Sequence, residues 1–335
     1  MRETDAGVAR ASARPLVECW PLVSDRMRIR GLSSRTQAEY LTQASRFASW
    51  FLETSGRHAR VADLTTTSGN AFIVWAEDAA RADGRRWRAA TRAAYARNLR
   101  SFAHHLARVL DLPANPLGGL AVARTQQREP DALDDEVQAD LLGSLDGTDP
   151  YEVITRALVA LSLEAGPRSS ELAAMDVEDF AMARHRGRDL GMVVHVRHPA
   201  KGGSPRTLPL GAVAEDFIRA AVGNRITGPL FPGRDGGRME VKALSKRVTR
   251  AGRRLGITIA PHRLRRTAAS TYITYGAQSG QANAVFGWKP DPLDVKAGSY
   301  TTPTLPQLLY AHQERLSPLD RLELELADRG LPPLR

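Results

Sequence analysis

The segment Pro261-His262-Arg263-Leu264-Arg265-Arg266-Thr267 sets a histidine and an arginine three residues apart, and in a helix that spacing puts both side chains on one face. Such a face can hold an anion and move a proton. Further reactive groups lie upstream, in Gly166-Pro167-Arg168-Ser169-Ser170-Glu171-Leu172, and downstream, in Phe286-Gly287-Trp288 and then Tyr300 within Gly298-Ser299-Tyr300-Thr301.

Apolar periodicity marks out the elements that must position these groups. From Ser34, with Gln37 completing a capping box, Tyr40, Phe47, Trp50 and Phe51 share one face, which predicts an amphipathic helix to about Glu53. A second helix is expected near Asn70 to Arg81, around Phe72, Ile73 and Trp75. A third runs from about Arg88 to Leu110, with Tyr95, Leu99, Phe102 and Leu106 as its stripe and Arg88, Arg92, Arg97 and Arg100 largely off it. The expectation is a small helical bundle with a basic exterior. Residues 1–30 show little periodicity and read as a flexible arm. Pro113, Pro116, Gly118, Gly119 and Pro130 punctuate a polar stretch, so 113–130 is the expected linker between a helical domain over 31–112 and a catalytic domain over 131–304.

In the second half, Asp134 reads as the N-cap of a helix bearing Val137, Leu141 and Leu142. An apolar helix from about Val153 to Glu164 stops at Gly166-Pro167, so Arg168 follows a break where a short helix through Glu171 and Leu172 begins. Leu190 to Val196 and Arg206 to Leu210 read as short strands, joined by a hairpin tip that carries Lys201. Met239 to Leu255 is the clearest helix of this half. Its stripe is Val241, Leu244, Val248, Ala251 and Leu255, while Lys242, Lys246, Arg247 and Arg250 cover much of the remainder, a surface suited to lie along phosphates. The leucine-rich tail over 305–335 needs cover from the domain or from a neighbouring subunit. The fold class expected is mainly α with a small β-sheet.

Composition narrows the partners. A chain of 335 residues is long enough for two domains, and 47 Lys+Arg against 37 Asp+Glu, a net charge of +10, points to a polyanion. Residues 1–124 hold 19 arginines against 11 acidic residues, and 181–300 hold 21 basic against 7 acidic, with an acidic stretch over 131–180 between them. Two basic blocks suit a clamp turned toward one phosphate backbone. Cys19 stands alone, which excludes an intrachain disulfide or a cysteine-rich metal site and fits a reducing interior. The start Met1-Arg2-Glu3-Thr4-Asp5 has no apolar signal core and no run is long enough to span a bilayer, so a soluble, cytoplasmic and nucleoid-associated protein with no membrane partner is expected. His104, His105, His195 and His198 make no convincing metal set, and neither metal nor cofactor is expected.

Taken in order, the three reactive blocks resemble the tyrosine recombinase (phage integrase) family. The resemblance runs from about residue 34 to 310 and implies an N-terminal core-binding, SAM-like helical domain followed by an α+β catalytic domain. The family's Gly-x-Arg-x-Ser-Glu-Leu box is matched by Gly166, Arg168, Ser170, Glu171 and Leu172, its hairpin lysine by Lys201, and its His-x-Leu-Arg-His/Arg-Thr box by His262, Leu264, Arg265, Arg266 and Thr267. Three positions depart from the pattern. Pro167 replaces an apolar residue, and Trp288 stands where histidine is more frequent. The interval from Trp288 to Tyr300, with Pro290 and Pro292 inside it, is longer than usual, and Tyr310 is therefore kept as the alternative nucleophile.

The resemblance implies cleavage and rejoining of double-stranded DNA through a 3′-phosphotyrosyl intermediate, by a homo-tetramer on paired sites, without metal, cofactor or ATP. In that chemistry Tyr300 is the nucleophile, and nearby cations must favour loss of a proton whose ordinary pKa is about 10. Arg168 and Arg265 hold nonbridging oxygens, and Lys201 protonates the leaving deoxyribose oxygen. His262 accepts the tyrosyl proton or hydrogen-bonds the phosphate, Trp288 offers an indole donor and a wall against water, and Glu171 supports Arg168 or the hairpin. DNA contacts are expected from Arg88, Arg92, Arg97, Arg100, Lys242, Lys246, Arg247 and Arg250. Two rivals share parts of this pattern: a DNA-binding protein on the same fold without strand exchange, and a type IB topoisomerase-like relaxing enzyme.

Overall fold

The computed structural model describes residues 2–78, 86–123, 132–145, 147–199, 203–290 and 301–334. The chain divides into two units, Met1–Gln127 and Arg128–Arg335. The first is helical: α1 (Arg2–Ala13), α2 (Trp20–Ile29), α3 (Ser34–Ser55), α4 (Thr66–Asp78) and α5 (Ala89–Val109). Its core gathers Phe47, Trp50, Phe72, Leu99, Phe102 and Leu106, with Phe47 and Phe72 meeting edge to face at 5.7 Å between centroids. The expected flexible arm over 1–30 is corrected here. Leu16, Cys19, Val23 and Met27 are wholly buried in that core and α2 packs on α3 and α5. These apolar residues recur at helical spacing, but they are few and diluted by charged neighbours, which hid the pattern. A second correction concerns the cap of α3. Ser33, not Ser34, accepts a hydrogen bond from the Thr36 amide at 3.3 Å, while Gln37 donates to the Leu32 carbonyl at 2.7 Å.

The second unit carries α6 (Asp135–Gly143), α7 (Pro150–Glu164), α8 (Ser169–Ala174), α9 (Ala212–Val222), α10 (Val241–Arg254), α11 (Pro261–Thr274), α12 (Ser279–Phe286), α13 (Leu305–Ala311) and α14 (Pro318–Asp328). It also has one antiparallel sheet in the order β1 (Phe180–His185), β2 (Arg188–Val196), β3 (Arg206–Pro209). Strand β1 went unpredicted because it turns only one side chain, Ala183, fully inward. The loop between β1 and β2 has just two residues, and Arg186 and Gly187 both adopt positive φ, as a tight hairpin turn requires. Helix α7 runs through the middle of the unit and is buried from Ala157 to Glu164, covered by α9, α11 and α14. From Ala157 to Leu163 only Ser162 is polar, as expected of a core segment.

The tail over 305–335 packs on its own unit, one of the two covers its leucines allow. Leu308, Leu309, Leu316, Leu319, Leu322 and Leu326 are buried there. A polar latch fixes the dock. Glu164, wholly buried at the end of α7, accepts hydrogen bonds from the Gly211 amide at 2.8 Å, His312 Nε2 at 2.7 Å, Ser317 Oγ at 2.8 Å and the Leu319 amide at 3.1 Å. Asp320 accepts from the amides of Ala212 and Val213, at 2.9 and 2.8 Å, and so caps the first turn of α9. Burial alone would raise the Glu164 carboxyl, but His312 and the hydrogen bonds outweigh it and hold the pKa below the ordinary range. The latch therefore contributes its full stability above the unfolded carboxyl pKa and loses it as pH falls through the lower folded value. Glu164→Ala should cost about 3–5 kcal/mol in urea unfolding, since it strands buried partners. The deficit relative to wild type should shrink in acid.

Candidate active site

The site is organised by the end of α12. The last carbonyls of a helix have no partner within it and carry the negative end of its dipole, so they attract cations. Three successive carbonyls here take three arginines. Val285 O accepts from Arg206 Nε at 2.7 Å, Phe286 O from Arg265 Nη2, and Gly287 O from Arg168 Nη2 at 3.4 Å. Arg265 Nη1 also donates to the carbonyl of Gly166. Arg168, just before α8, Arg206, at the start of β3, and Arg265, on α11, thus meet on one short stretch of backbone.

Glu171 binds two of the three. Its carboxylate accepts Nη1 and Nη2 of Arg206 at 3.0 and 2.8 Å, a two-point contact, and Nη1 of Arg168 at 3.2 Å. It also accepts the Arg168 amide at 2.7 Å, capping α8. Its side chain is wholly buried, and that of Arg206 is nearly so. Three guanidinium charges face one carboxylate, so the site holds a surplus of positive charge. Burial, then Arg168 and Arg206, push the Arg265 pKa down to about 10, with Glu171 opposing. Arg265 stays charged at neutral pH. The repulsion among the three is what an incoming anion would relieve.

Two glycines make the approach possible. At Gly166, with φ at +54°, a Cβ would lie 2.9 Å from Phe286 Cε1 and 3.1 Å from Arg265 Cγ. Gly287, the left-handed cap of α12, would place one 3.2 Å from the Arg206 guanidinium carbon.

Residues 132–292 match the phage integrase family. The match lies within the second unit. Tyrosine recombinase XerC of Azotobacter vinelandii is 34% identical over 181 residues, covering 51% of this chain and 56% of that protein. Tyrosine recombinase XerC of Vibrio atlanticus is 27% identical over 262 residues, covering 76% and 78%. The chain spans about half the length of most curated relatives it matches. Among solved structures, a lambda integrase tetramer bound to a Holliday junction aligns with a TM-score of 0.62 at 16% identity, covering 87% of this chain and 82% of that one. XerH bound to its difH substrate before cleavage aligns with a TM-score of 0.56 at 15% identity, covering 84% of each. At these identities the likeness establishes the fold: mainly helical with a small antiparallel sheet.

The other residues singled out in the sequence lie in different settings. His262 lies in the first turn of α11, exposed and one helical turn before Arg265. Burial, then Arg266 and Arg265, hold its pKa below the ordinary imidazole value, so the ring is neutral at pH 7. Trp288 is 40% exposed and stacks on Phe286 at 5.0 Å between centroids, while the Arg265 guanidinium lies 5.7 Å from the centre of the same Phe286 ring. Lys201 and Tyr300 lie outside the described residues. Tyr310, on α13, is 68% exposed and shares no hydrogen bond with the arginines among the described residues.

The basic helices separate in the same way. Arg88, Arg97, Lys242, Lys246 and Arg250 are exposed. Arg247 is not a surface contact, contrary to expectation. It is 3% exposed, bonded to Thr155 Oγ1 at 2.7 Å, Pro232 O at 2.8 Å and Tyr151 O at 2.6 Å, and it lies 3.7 Å over the Tyr151 ring. Position 247 borders the Leu244, Val248, Ala251 stripe, and its side chain pins α10 to α7. Arg92 is half-buried, donating to Trp87 O at 2.8 Å and pairing with Glu77 at 2.7 Å. Among the described residues no cluster of His, Cys, Asp and Glu could hold a metal, and no helix is long and apolar enough to cross a membrane.

The sequence reading missed Arg206. Its only signal was its place at the start of the second hairpin strand, opposite Val196. Arg206→Met should destabilise the second unit by about 3–5 kcal/mol in urea unfolding, because Glu171 stays buried and loses a two-point partner. Arg206→Lys should recover little, since an ammonium cannot span Glu171 and the Val285 carbonyl together.

Proposed function

We propose that this chain is a site-specific DNA recombinase that cuts and rejoins strands through a 3′-phosphotyrosyl intermediate, working as a homo-tetramer on paired duplex sites at the bacterial nucleoid. The observation that carries this reading is the meeting of Arg168, Arg206 and Arg265 around three successive carbonyls with one carboxylate among them. Phosphoryl transfer spreads negative charge over nonbridging oxygens, and a fixed surplus of guanidinium charge stabilises that charge without reorganising. The names of the relatives, tyrosine recombinase XerC, agree with it.

In the proposed step the Tyr300 phenolate oxygen attacks phosphorus, a P–O bond to Tyr300 forms, and the bond to the 5′ oxygen breaks. Neutral His262 takes the phenol proton. Lys201 gives a proton to the departing 5′ oxygen. Arg168 and Arg265 hold the nonbridging oxygens, while Glu171 keeps the Arg168 guanidinium in place and the carbonyls of Gly166 and Phe286 keep that of Arg265. The stacked Trp288 shields one side from water. A 5′-hydroxyl from the partner strand then reverses the reaction and completes exchange.

Incubation of wild type with nicked duplex should give a protein–DNA adduct that survives denaturation, and Tyr300→Phe should bind the same duplex without forming it. An adduct that persists in Tyr300→Phe and vanishes in Tyr310→Phe would move the nucleophile. Binding without any adduct would identify a DNA-binding protein on this fold, and relaxation of plasmids with no site preference would point to a topoisomerase. Arg265→Lys should slow cleavage at least about 100-fold, on the scale of losing one transition-state donor. Because protonation removes the base, cleavage should hold steady as pH falls to about 6.5, the ordinary imidazole value, and decline only below it. A decline centred above that value would contradict His262 as proton acceptor.

A further inference from the structure

The first unit contains a cavity of about 370 Å³ between α3, α5 and the loop after α5, lined by Tyr40, Arg100, Ser101, His104, His105 and Asn115. Each of these side chains can donate a hydrogen bond and none is a carboxylate. Residues 100, 101, 104 and 105 share one side of α5. Among the described residues, the Arg100 guanidinium and the hydroxyls of Tyr40 and Ser101 have no hydrogen-bond or ion-pair partner. The cavity floor is fixed, since Asn115 Nδ2 donates to the Arg100 carbonyl at 3.2 Å and Asn115 Oδ1 accepts from the Leu117 amide at 3.0 Å.

His105 adds a second, independent sign. Its ring lies 6.3 Å from Tyr40 and 5.7 Å from His104, and its buried Nδ1 has no partner. Its other ring nitrogen also has no hydrogen-bond partner among the described residues and can donate to an occupant. Burial, then the neighbouring His104, Arg26 and Arg30, hold its pKa below the ordinary value. A guanidinium without a counter-charge, set among further donors with no carboxylate in the lining, calls for an anion.

We propose that this cavity binds one phosphate group of the duplex backbone, with Arg100 as the main ligand and Tyr40, Ser101 and His105 as further donors. The assignment rests on the recombinase reading and gives the first unit a specific grip on DNA. A free phosphate ion has the same chemistry, so the experiment must separate the two sources.

Duplex binding is measured by fluorescence anisotropy over a series of salt concentrations, for full-length wild type and for variants whose thermal unfolding matches it. Arg100→Gln should weaken binding about tenfold, the scale of a hydrogen bond to a charged group. It should also make the salt dependence shallower by about one phosphate contact. Arg100→Lys should restore the salt slope and only part of the affinity. An equal loss in Arg108→Gln, which removes the same charge from an exposed position of α5 outside the cavity, would reduce the effect to net charge and overturn the assignment. Unchanged affinity and slope in Arg100→Gln, with wild type binding duplex, would overturn the cavity alone. Inorganic phosphate that shifts the His105 imidazole NMR signals while Arg100→Gln leaves duplex binding intact would mark a free-anion site and overturn the backbone assignment. Wild type that fails to bind any duplex would instead refute the recombinase reading.

Discussion

Like charges do not gather unless something holds them, and here the holder is the end of a short helix. The carbonyls of Val285, Phe286 and Gly287 are left over by α12, and each takes one guanidinium. Glu171 supplies the only carboxylate among these contacts, bonded to Arg168 and Arg206 and not to Arg265. Arg265 therefore has no carboxylate partner among these contacts, and burial, then Arg168 and Arg206, lower its pKa. Its two carbonyl bonds hold it in place without neutralising it. A buried cation kept in this way costs folding free energy and is poised for an anion.

The rest of the second unit can be understood as the frame for that end. Helix α7 is buried through its last eight residues and delivers the chain to Gly166, whose carbonyl receives Arg265 and whose missing side chain lets Phe286 approach. Two residues before Gly166, the Glu164 latch ties α7 to the start of α9 and to the C-terminal helices. The sheet contributes Arg206 at the first position of β3. Segments from four parts of the chain thus meet in a region whose polar groups satisfy one another, and a local change in any of them would be felt at the arginines.

The first unit works on a different principle. Its aromatic core of Phe47, Trp50 and Phe72 is closed by α2, so the opening residues belong to the domain and not to an arm. Among the basic residues of α5, Arg92 is tied down by Glu77 and the Trp87 carbonyl, while Arg100 sits unpaired beside a cavity of donors. Charge count alone does not separate these two, because both are half-buried arginines on one helix.

Local sequence determined much of this protein. Helical spacing located α3, α5, α7 and α10 to within a few residues, and the boxes around Arg168 and His262 named two of the three arginines together with Glu171, because a motif and a 3.6-residue period are both short-range properties. What the sequence could not decide depends on distant segments. That Arg206 joins the site follows from Glu171 lying 35 positions away and from a carbonyl at Val285, and neither is visible near residue 206. Arg247 and Arg250 look alike in a helical wheel, yet one fills the space beside Thr155 and Tyr151 while the other faces solvent, and only the packing of α10 on α7 separates them. The leucines of the tail showed that it needed cover. What they did not show is the polar anchor of that cover: the buried Glu164 takes hydrogen bonds from His312, Ser317 and Leu319, about 150 positions away, because a desolvated carboxylate is stable only where such partners are in place.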